Sequence, residues 1–348
     1  MSTRPLIALL LSDGKAGHYT QAEGVIAAIG RVRPVETVRM EVRRRLLVPT
    51  RVLHHFVNTG ASPALILRMG YGLAPGNLPD ADVVVSAGGE TIAANVAAAK
   101  LAGIPNIFCG RLRRAAPEHV RLVIVSLERF GGLPNHLICL PPSPIGAMAG
   151  RPADGSRRLG PDNPPARVGV LVGGNSGALR YGQEDWAHLI RFMREAHASH
   201  GMRWLATTSR RSGPAISDAL AAAAQDSANG IDLYIDYRSA GPGTLQKVFT
   251  SAEGIIVTDD STTMISEAVG ARLPVVAVAP AAMAQERREV EYRAFLARND
   301  WYRRLPLAEL TPAAFLAALA EIAPRETSAL DELAAALRQR LPELFAKP

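Results

Sequence analysis

Residues 6–18, LIALLLSDGKAGH, decide the fold: six consecutive apolar residues, Leu6–Leu11, run directly into a polar turn with two glycines. A continuous apolar run of this length, closed by a glycine-bearing turn, is typical of a parallel strand buried on both faces. Apolar residues at helical spacing follow over Gln21–Ile29. The same strand and glycine turn recur at residues 168–178, VGVLVGGNSGA. The repetition predicts an α/β protein with two parallel-sheet domains.

Short apolar runs alternate with helical stretches on either side of residues 141–166, which hold seven prolines and four glycines without periodicity. We therefore expect an N-terminal domain at 1–145, a linker at 146–166, a second domain at 167–325, and a C-terminal helix at 326–348 that packs back on the first domain. The strand candidates are Leu6–Leu11, Val83–Ser86, Asn106–Cys109, Leu122–Val125, Val168–Val172, Trp204–Thr208, Leu233–Ile235, Gly254–Val257 and Val275–Ala279. A ligand cleft is expected between the domains, at the carboxyl ends of the strands.

Composition narrows the class of partner. The 348-residue chain has a net charge of +7, which favours anionic ligands. Aromatic residues make up only 5% and are not interleaved with the basic ones, so we expect no nucleic-acid partner. The longest apolar run, eight residues at 313–320, is far below the ~20 that span a bilayer, which predicts a cytoplasmic protein. Its two cysteines have no zinc-site spacing, and we expect neither a metal nor a cofactor.

Two loops of the first domain carry reactive side chains. In Ser12–His18 two glycines let backbone N–H groups approach a ligand, while lysine and histidine add movable donors. His18, Asp13 and Lys15 are the predicted catalytic residues, with His18 or Asp13 as general base. Residues 86–91, SAGGET, open an alanine-rich helix at Glu90–Ala102, where a glutamate is also simply favoured by the helix dipole. The residues predicted on the acceptor side are Gly14, Gly17, Gly88, Gly89 and Glu90.

Three loops of the second domain suggest an anion site. The glycines of residues 173–178 form a cradle suited to a diphosphate, and paired arginines follow a strand at residues 207–211, TTSRR. A helix begins within Asp259–Ala268, and the carboxylate of its Glu267 can accept hydrogen bonds from both ribose hydroxyls of a nucleotide. The predicted donor-binding residues are Gly173, Gly174, Asn175, Ser176, Gly177, Arg180, Ser209, Arg210, Arg211, Ser261, Thr262, Thr263, Ser266 and Glu267.

Residues 40–75 depart from the alternation, because basic residues are mixed there with apolar ones. This pattern suits either an amphipathic surface on anionic lipid, at the inner membrane, or one or two ordinary helices with solvated arginines.

These motifs, in this order, resemble the bacterial relatives of the plant elongated-mitochondria fission factor, a family regarded as glycosyltransferases of GT-B architecture. The resemblance rests on Ser12–His18 with Gln21, on Gly173-Gly174 with Ser176, on Thr207–Arg211 and on Asp260–Ala268. It runs from residue 12 to about residue 280, and its SDGKAGH and TTSRR strings are fairly specific. It implies a GT-B-like fold of two Rossmann-like domains that face a central cleft.

The chain also resembles, more distantly, the GT-B enzyme that adds N-acetylglucosamine to the lipid-linked peptidoglycan precursor. By that likeness Glu267 would hold the ribose, Gly174–Ala178 the diphosphate, and His18 would act as base or acceptor contact. This chain has Asn175 where that enzyme has serine, and it lacks a clear uracil-binding signature, which leaves the base open.

Together these features predict a metal-independent glycosyltransferase that moves a sugar from a nucleotide-diphosphate donor to a lipid-linked or cell-envelope acceptor. Two alternatives stay open: a nucleotide-sugar epimerase on the same fold, and a non-catalytic adaptor recruited to a membrane. Fold alone does not choose among them, since function depends on the site.

Overall fold

The computed structural model describes residues 4–145, 158–177, 179–280 and 287–346. The chain divides into two compact units. Unit 1 contains residues 1–144 and 329–348, and unit 2 contains residues 145–328.

Unit 1 is a six-stranded parallel sheet with the strand order β2-β1-β3-β4-β5-β6. Its elements are β1 (Leu6–Ser12), α1 (Ala16–Gly30), β2 (Val35–Glu41), α2 (Thr50–Asn58), α3 (Pro63–Tyr71), β3 (Val83–Ala87), α4 (Ile92–Ala102), β4 (Asn106–Cys109), β5 (Leu122–Val125), β6 (His136–Ile138) and the C-terminal α12 (Ala329–Arg340). The central strands β3, β4 and β5 are buried along their whole length, as their unbroken apolar sequences require. Helix α4 is also buried over 92–99, because its alanines allow the sheet and neighbouring helices to approach closely.

Unit 2 is a second six-stranded parallel sheet, ordered β12-β11-β10-β7-β8-β9. Its elements are β7 (Arg167–Leu171), α5 (Gln183–His200), β8 (Arg203–Thr207), α6 (Gly213–Ala223), β9 (Ile231–Ile235), α7 (Tyr237–Ala240), α8 (Leu245–Ser251), β10 (Gly254–Thr258), α9 (Thr262–Gly270), β11 (Val275–Ala279), α10 (Arg287–Arg298), β12 (Tyr302–Pro306) and α11 (Pro312–Ala320). Its core is more aromatic: Phe192 packs on Trp204 and, edge to face, on Phe315.

Two parallel α/β units of this kind confirm the predicted fold class, a GT-B-like architecture. Three strands that the sequence did not predict, β2, β6 and β12, all lie at sheet edges. An edge strand exposes one long side to solvent, so it tolerates the charged residues that hid β2 and β12 from a search for apolar runs. Residues 40–75 form the ordinary helices α2 and α3, joined to β2 by a turn at residues 42–49.

The C-terminal helix α12 packs against α1 in unit 1 through Leu330, Leu333 and Leu337, which are nearly fully buried. Arg33 donates to the carbonyl of Leu344 at 3.0 Å and further ties this end of the chain to unit 1.

Only the last part of the predicted linker, residues 158–166, can be compared with the structure. Residues 146–157 lie outside the described part, and Leu159 is already a member of the unit 2 core. No helix in the described residues is long and apolar enough to cross a membrane.

Candidate functional site

In each sheet the candidate loops follow the two neighbouring strands at which the strand order reverses direction. In unit 1 these strands are β1 and β3, and in unit 2 they are β7 and β10. Open parallel sheets bind ligands at this point, because the loops that leave the two strands diverge and leave a crevice at their carboxyl ends. The topology therefore gives each unit its own candidate site.

In unit 1 a buried carboxylate holds the imidazole of His18. The Asp13 side chain is only 1% exposed, and its Oδ2 and Oδ1 lie 2.9 and 3.1 Å from His18 Nδ1. Because an ionised carboxylate only accepts hydrogen bonds, Nδ1 carries the proton and donates it to Asp13. The other ring nitrogen, Nε2, is left to accept a proton, and the ring is 35% exposed. The geometry makes Asp13 the group that orients His18.

Lys15 and Glu90 stand at the rim of this pair. Lys15 Nζ lies 3.5 Å from Asp13 Oδ2 and 3.8 Å from Glu90 Oε1, and its side chain is 58% exposed. The helix predicted to start at Glu90 in fact starts at Ile92, so Glu90 belongs to the loop. Thr91 takes the N-cap position, and its hydroxyl bonds back to the loop carbonyls at the end of β3.

The ring of His18 rests on Gly88. A Cβ at Gly88 would overlap the His18 ring, and the φ of Gly88, +89°, lies in the left-handed region that favours glycine. Gly14, with φ +76°, allows the tight turn that brings Asp13 under the ring. Gly17, in contrast, lies in the first turn of α1 rather than in the loop.

A network of buried polar side chains holds the Gly88 loop in place. The Thr91 hydroxyl donates to the Gly88 carbonyl at 2.9 Å and contacts Ser86 Oγ at 3.0 Å. Asn95 donates to the same Ser86 oxygen, and Asn106 donates to Asn95 at 2.8 Å. Networks of this kind, fully satisfied in a buried setting, hold a loop in one position.

Two residues that the sequence analysis missed, Arg113 and His54, lie next to Gly89. Arg113 adopts a left-handed conformation, φ +57°, and a Cβ at Gly89 would stand 2.6 Å from its Nε. His54 is 2% exposed, and its Nε2 has no hydrogen-bond partner in the described chain. Burial lowers the pKa of His54, and the positive charge of Arg113 lowers it further. No sequence signal could have found this pair, because the two residues are far apart in the chain.

Arg113 also lines a cavity of about 570 Å³ with Arg111 and Arg114. Apolar side chains, including those of Phe130 and Leu133, also line this cavity. Within the described residues none of the three arginine side chains forms an ion pair, so the cavity has a positive rim beside an apolar surface. Burial also lowers the pKa values of the unit 1 histidines His119 and His136.

In unit 2 the loops after β7, β8 and β10 meet at Gly173 and Gly174. A Cβ at Gly173 would overlap the carboxylate of Asp260, and a Cβ at Gly174 would overlap the carbonyl of Arg211. Asp260, whose side chain is fully buried, receives Arg211 Nη2 at 2.7 Å and Nε at 3.1 Å on its Oδ2. Its Oδ1 is buried and has no donor among the described residues. Glycine at both positions thus lets three loops close around one point.

Hydroxyl groups fasten this junction. Ser212 Oγ donates to the Val172 carbonyl at 2.8 Å, and the Gly173 N–H donates to Thr258 Oγ1 at 2.6 Å. Ser209 Oγ lies 3.3 Å from the Gly173 carbonyl, which it contacts as a donor.

The remaining residues of the predicted donor cradle are more exposed. Asn175 accepts the Tyr181 N–H at 2.8 Å, and Arg180 Nη1 donates to the Gly177 carbonyl at 2.7 Å. Arg210 is exposed and pairs with no carboxylate in the described chain. Ser176 pairs with Leu179 across a short bridge, while Ala178, which the sequence included in this cradle, lies outside the described residues.

Beneath the junction lies a buried ionic cluster that the sequence analysis did not predict. Asp259 is fully buried, and its carboxylate binds Arg293, Arg304 and the hydroxyl of Tyr302. The hydroxyl of Tyr181 accepts the Asp259 N–H at 2.9 Å. Removing one partner of a buried charge is costly, so this cluster fixes the turn that presents Asp260.

Helix α9 begins beside Asp260, with Ser261 as its N-cap and Thr262 and Thr263 in its first turn. Ser266 is 3% exposed, and its hydroxyl contacts the Thr262 carbonyl at 2.6 Å and the Tyr292 hydroxyl at 2.7 Å, so its place in the donor site stays a prediction. Glu267 is 4% exposed, so its contact with a ribose stays a prediction.

Neither unit offers a metal centre in its described part, where no three His, Cys, Asp or Glu side chains come together as ligands. A cavity of about 880 Å³ lies between α5 and α6 of unit 2, lined by residues such as Trp186 and Ala219. It contains none of the loop residues described above.

Solved structures share this architecture at low sequence identity. A Listeria monocytogenes protein assigned as a UDP-N-acetylglucosamine 2-epimerase aligns with a TM-score of 0.56 and 11% identity, over 98% of both chains. The UDP-N-acetylglucosamine 2-epimerase of Methanocaldococcus jannaschii gives 0.54 and 12%, over 97% of this chain and 99% of that one. MurG of Acinetobacter baumannii gives 0.47 and 14%, over 96% and 100%.

No curated protein shows significant sequence similarity to this chain. A family model, in contrast, matches residues 16–341, from the first turn of α1 to the end of α12, which includes His18 and the whole candidate site of unit 2 but begins after Asp13 and Lys15. This confirms the resemblance drawn from the loop motifs: the chain belongs to the mitochondrial fission ELM1 family.

Proposed function

We propose that the protein is a glycosyltransferase that moves a sugar from a nucleotide-diphosphate donor, bound by unit 2, to an acceptor bound by unit 1. The observation that carries the proposal is the Asp13–His18 pair at the switch point of unit 1. A buried carboxylate that fixes one imidazole nitrogen and leaves the other accessible is the arrangement that general-base catalysis needs.

In the proposed step His18 Nε2 takes the proton of an acceptor hydroxyl. The acceptor oxygen forms a bond to the anomeric carbon, and the bond between that carbon and the diphosphate oxygen breaks. The nucleoside diphosphate leaves with the electron pair, while Asp13 stabilises the imidazolium. Lys15 balances the buried Asp13 and Glu90 nearby, which supports a role in setting the charge of the site.

The candidate donor site in unit 2 supports the same proposal. Gly174, Asn175 and Gly177 offer backbone N–H groups, while Ser209, Arg210 and Arg180 add a hydroxyl and two charges. Arg211 is already neutralised by Asp260, so the charge for the leaving diphosphate would come from Arg210 and Arg180. No metal is needed in this scheme, because arginines supply the positive charge.

The acceptor is proposed to carry an anionic group. The cavity lined by Arg111, Arg113 and Arg114 adjoins Gly89, and these guanidinium groups match phosphate or carboxylate oxygens. The apolar side chains that line it suit an acceptor with a lipid or other apolar portion, as expected of a cell-envelope precursor.

A binding screen followed by a turnover assay tests the proposal. Thermal unfolding is first measured with a panel of nucleotide sugars and nucleoside diphosphates, since a ligand that binds the folded state raises Tm. Release of nucleoside diphosphate is then followed with a lipid extract as acceptor source. His18→Gln should lower turnover by about 10²–10⁴-fold and leave donor affinity nearly intact. His55→Gln, at an exposed histidine of α2, is the matched control.

Wild-type turnover in a folded His18→Gln variant would refute the role of His18 and make Asp13 the next residue to test. Donor binding without turnover under any acceptor condition would instead support an adaptor.

Nucleotide-sugar epimerisation is the second candidate, because the Listeria and Methanocaldococcus structures, which align with TM-scores above 0.5, are assigned to that reaction. The product of an epimerase has one inverted carbon in the sugar and still carries the nucleoside diphosphate. Proton NMR of each nucleotide sugar, incubated with the protein and no acceptor, separates the two reactions. A new epimer with no free nucleoside diphosphate would favour the epimerase.

A further inference from the structure

Two adjacent leucines stand almost fully in solvent at the tip of a turn in unit 1. The side chains of Leu46 and Leu47 are 92% and 95% exposed, far above the other exposed apolar residues of the described chain. The Val48 N–H donates to the Arg45 carbonyl at 3.0 Å, so the leucines occupy the two central positions of a tight turn. We call residues 42–49 the leucine turn.

The structure holds this turn firmly in place. Val42 is buried, the Arg45 N–H donates to the Gly70 carbonyl at 2.8 Å, and Arg44 Nη1 donates to the carbonyls of Arg45 and Val48 at 3.1 and 2.7 Å. The turn is thus anchored at its base, while the two leucines at its tip project into solvent. Large apolar side chains in adjacent, fully exposed positions indicate a surface that meets another apolar phase.

The sequence of the leucine turn and of the two helices that follow it is strongly basic. Between Glu41 and Asp80 the sequence holds five arginines and no aspartate or glutamate. Arg45, Arg51 and Arg68 are exposed and pair with no carboxylate in the described residues. Arg43 does have a carboxylate partner, Glu41, but its side chain is still 81% exposed. The turn therefore combines an apolar tip with a base that attracts anions.

We propose that the leucine turn is a membrane anchor: the arginines bind the anionic headgroups of a phospholipid surface, and Leu46 and Leu47 enter the boundary between headgroups and acyl chains. Charge complementarity selects this occupant, because an apolar tip flanked in the sequence by exposed arginines fits an anionic bilayer, whereas a protein partner would have to supply both an acidic rim and an apolar pocket. The inference does not depend on the proposed glycosyl transfer.

Two leucines bury less apolar surface than one fatty-acyl chain, which itself gives only marginal membrane binding. The anchor should therefore be weak and reversible, and it should need both of its parts. Salt should release it, because charges on a surface are screened beyond about 10 Å at 0.1 M ionic strength.

Co-sedimentation of the full-length protein with lipid vesicles tests this inference. The protein should bind vesicles of phosphatidylcholine mixed with phosphatidylglycerol at low salt and should not bind pure phosphatidylcholine. Leu46→Ser with Leu47→Ser should weaken binding by about tenfold for each leucine. Arg45→Gln with Arg51→Gln should weaken it on the order of fivefold for each arginine.

The control is Val32→Ser with Leu101→Ser, which removes two other exposed apolar side chains of unit 1 and should leave vesicle binding unchanged. Equal binding to neutral and anionic vesicles, or an equal loss in the control, would overturn the proposal. So would self-association in solution that the leucine variant abolishes, since the turn would then be an interface between copies. Nucleotide binding measured by calorimetry should not change in the leucine variant, which separates this test from that of the proposed enzyme.

Discussion

Replacing Gly88 by alanine tests whether the glycine loop of unit 1 holds the imidazole of His18 in place. A Cβ at this position would overlap the His18 ring, so the ring must leave the loop and turn away from Asp13. The backbone of the variant would also be strained, because the φ at this position, +89°, favours glycine over alanine. We therefore expect both the displaced His18 ring and the unfavourable φ to lower stability. Only the displaced ring should lower activity.

The magnitude follows from these contacts. A non-glycine residue in the left-handed region costs roughly 1–2 kcal/mol. Losing a hydrogen bond to the buried carboxylate of Asp13 costs about 1.5–3 kcal/mol more. The Gly88→Ala variant should thus be about 2.5–5 kcal/mol less stable than the wild type. Its turnover should fall as far as that of a His18 variant.

Gly103→Ala is the matched control, because Gly103 also has a positive φ, +64°, but a Cβ there would meet no atom within 4 Å. It should lose only the backbone contribution. Urea unfolding followed by circular dichroism measures both variants, with the transition of each unit fitted separately because a two-unit chain need not unfold in one step. Equal losses in the two variants would refute the idea that His18 is held on Gly88.

Three further predictions concern the donor site and the pH dependence of unit 1. Glu267→Ala should weaken nucleotide binding by about 1–3 kcal/mol if its carboxylate pairs with the ribose, and an unchanged calorimetric affinity would remove it from the site. Arg211→Met should destabilise unit 2 by about 3–5 kcal/mol because it strands the buried Asp260 carboxylate, and adding Asp260→Asn should restore most of that loss in urea unfolding. Burial lowers the pKa of His54 below its ordinary value of 6.5, so the unfolded chain binds a proton more readily than the folded one. Unit 1 should therefore lose stability as the pH falls below about 6.5, and His54→Leu should flatten this dependence; an unchanged slope would assign it to the other two histidines with lowered pKa values.

The central strands and the glycine loops that follow them could be predicted from the sequence. A strand that is buried on both faces has a continuous apolar sequence, and glycines mark the turns at which these strands end. Edge strands such as β2 and β12 could not be predicted, since their exposed side carries the same charged residues as a loop. Within the site the local arrangement of Asp13, Lys15 and His18 could be read from one heptapeptide.

Contacts between segments that are far apart in the chain could not be predicted from the sequence. Asp259 meets Arg293 and Arg304 only because β10, α10 and β12 come together in the folded unit, and nothing in the sequence links them. The same holds for His54 and Arg113. A single sequence shows which residues end each strand, and only the folded chain shows which distant charges they meet.

Unit 1 is assembled from two separate stretches of chain, and this sets the order in which the protein can mature during synthesis. Residues 145–328 leave the ribosome before α12 does, so unit 2 can fold while the face of α1 that α12 covers is still bare. At typical rates of translation this interval lasts roughly 10–40 s. A ribosome that stalls within unit 2 would thus display an incomplete unit 1 with an apolar surface open to chaperones or to other nascent chains.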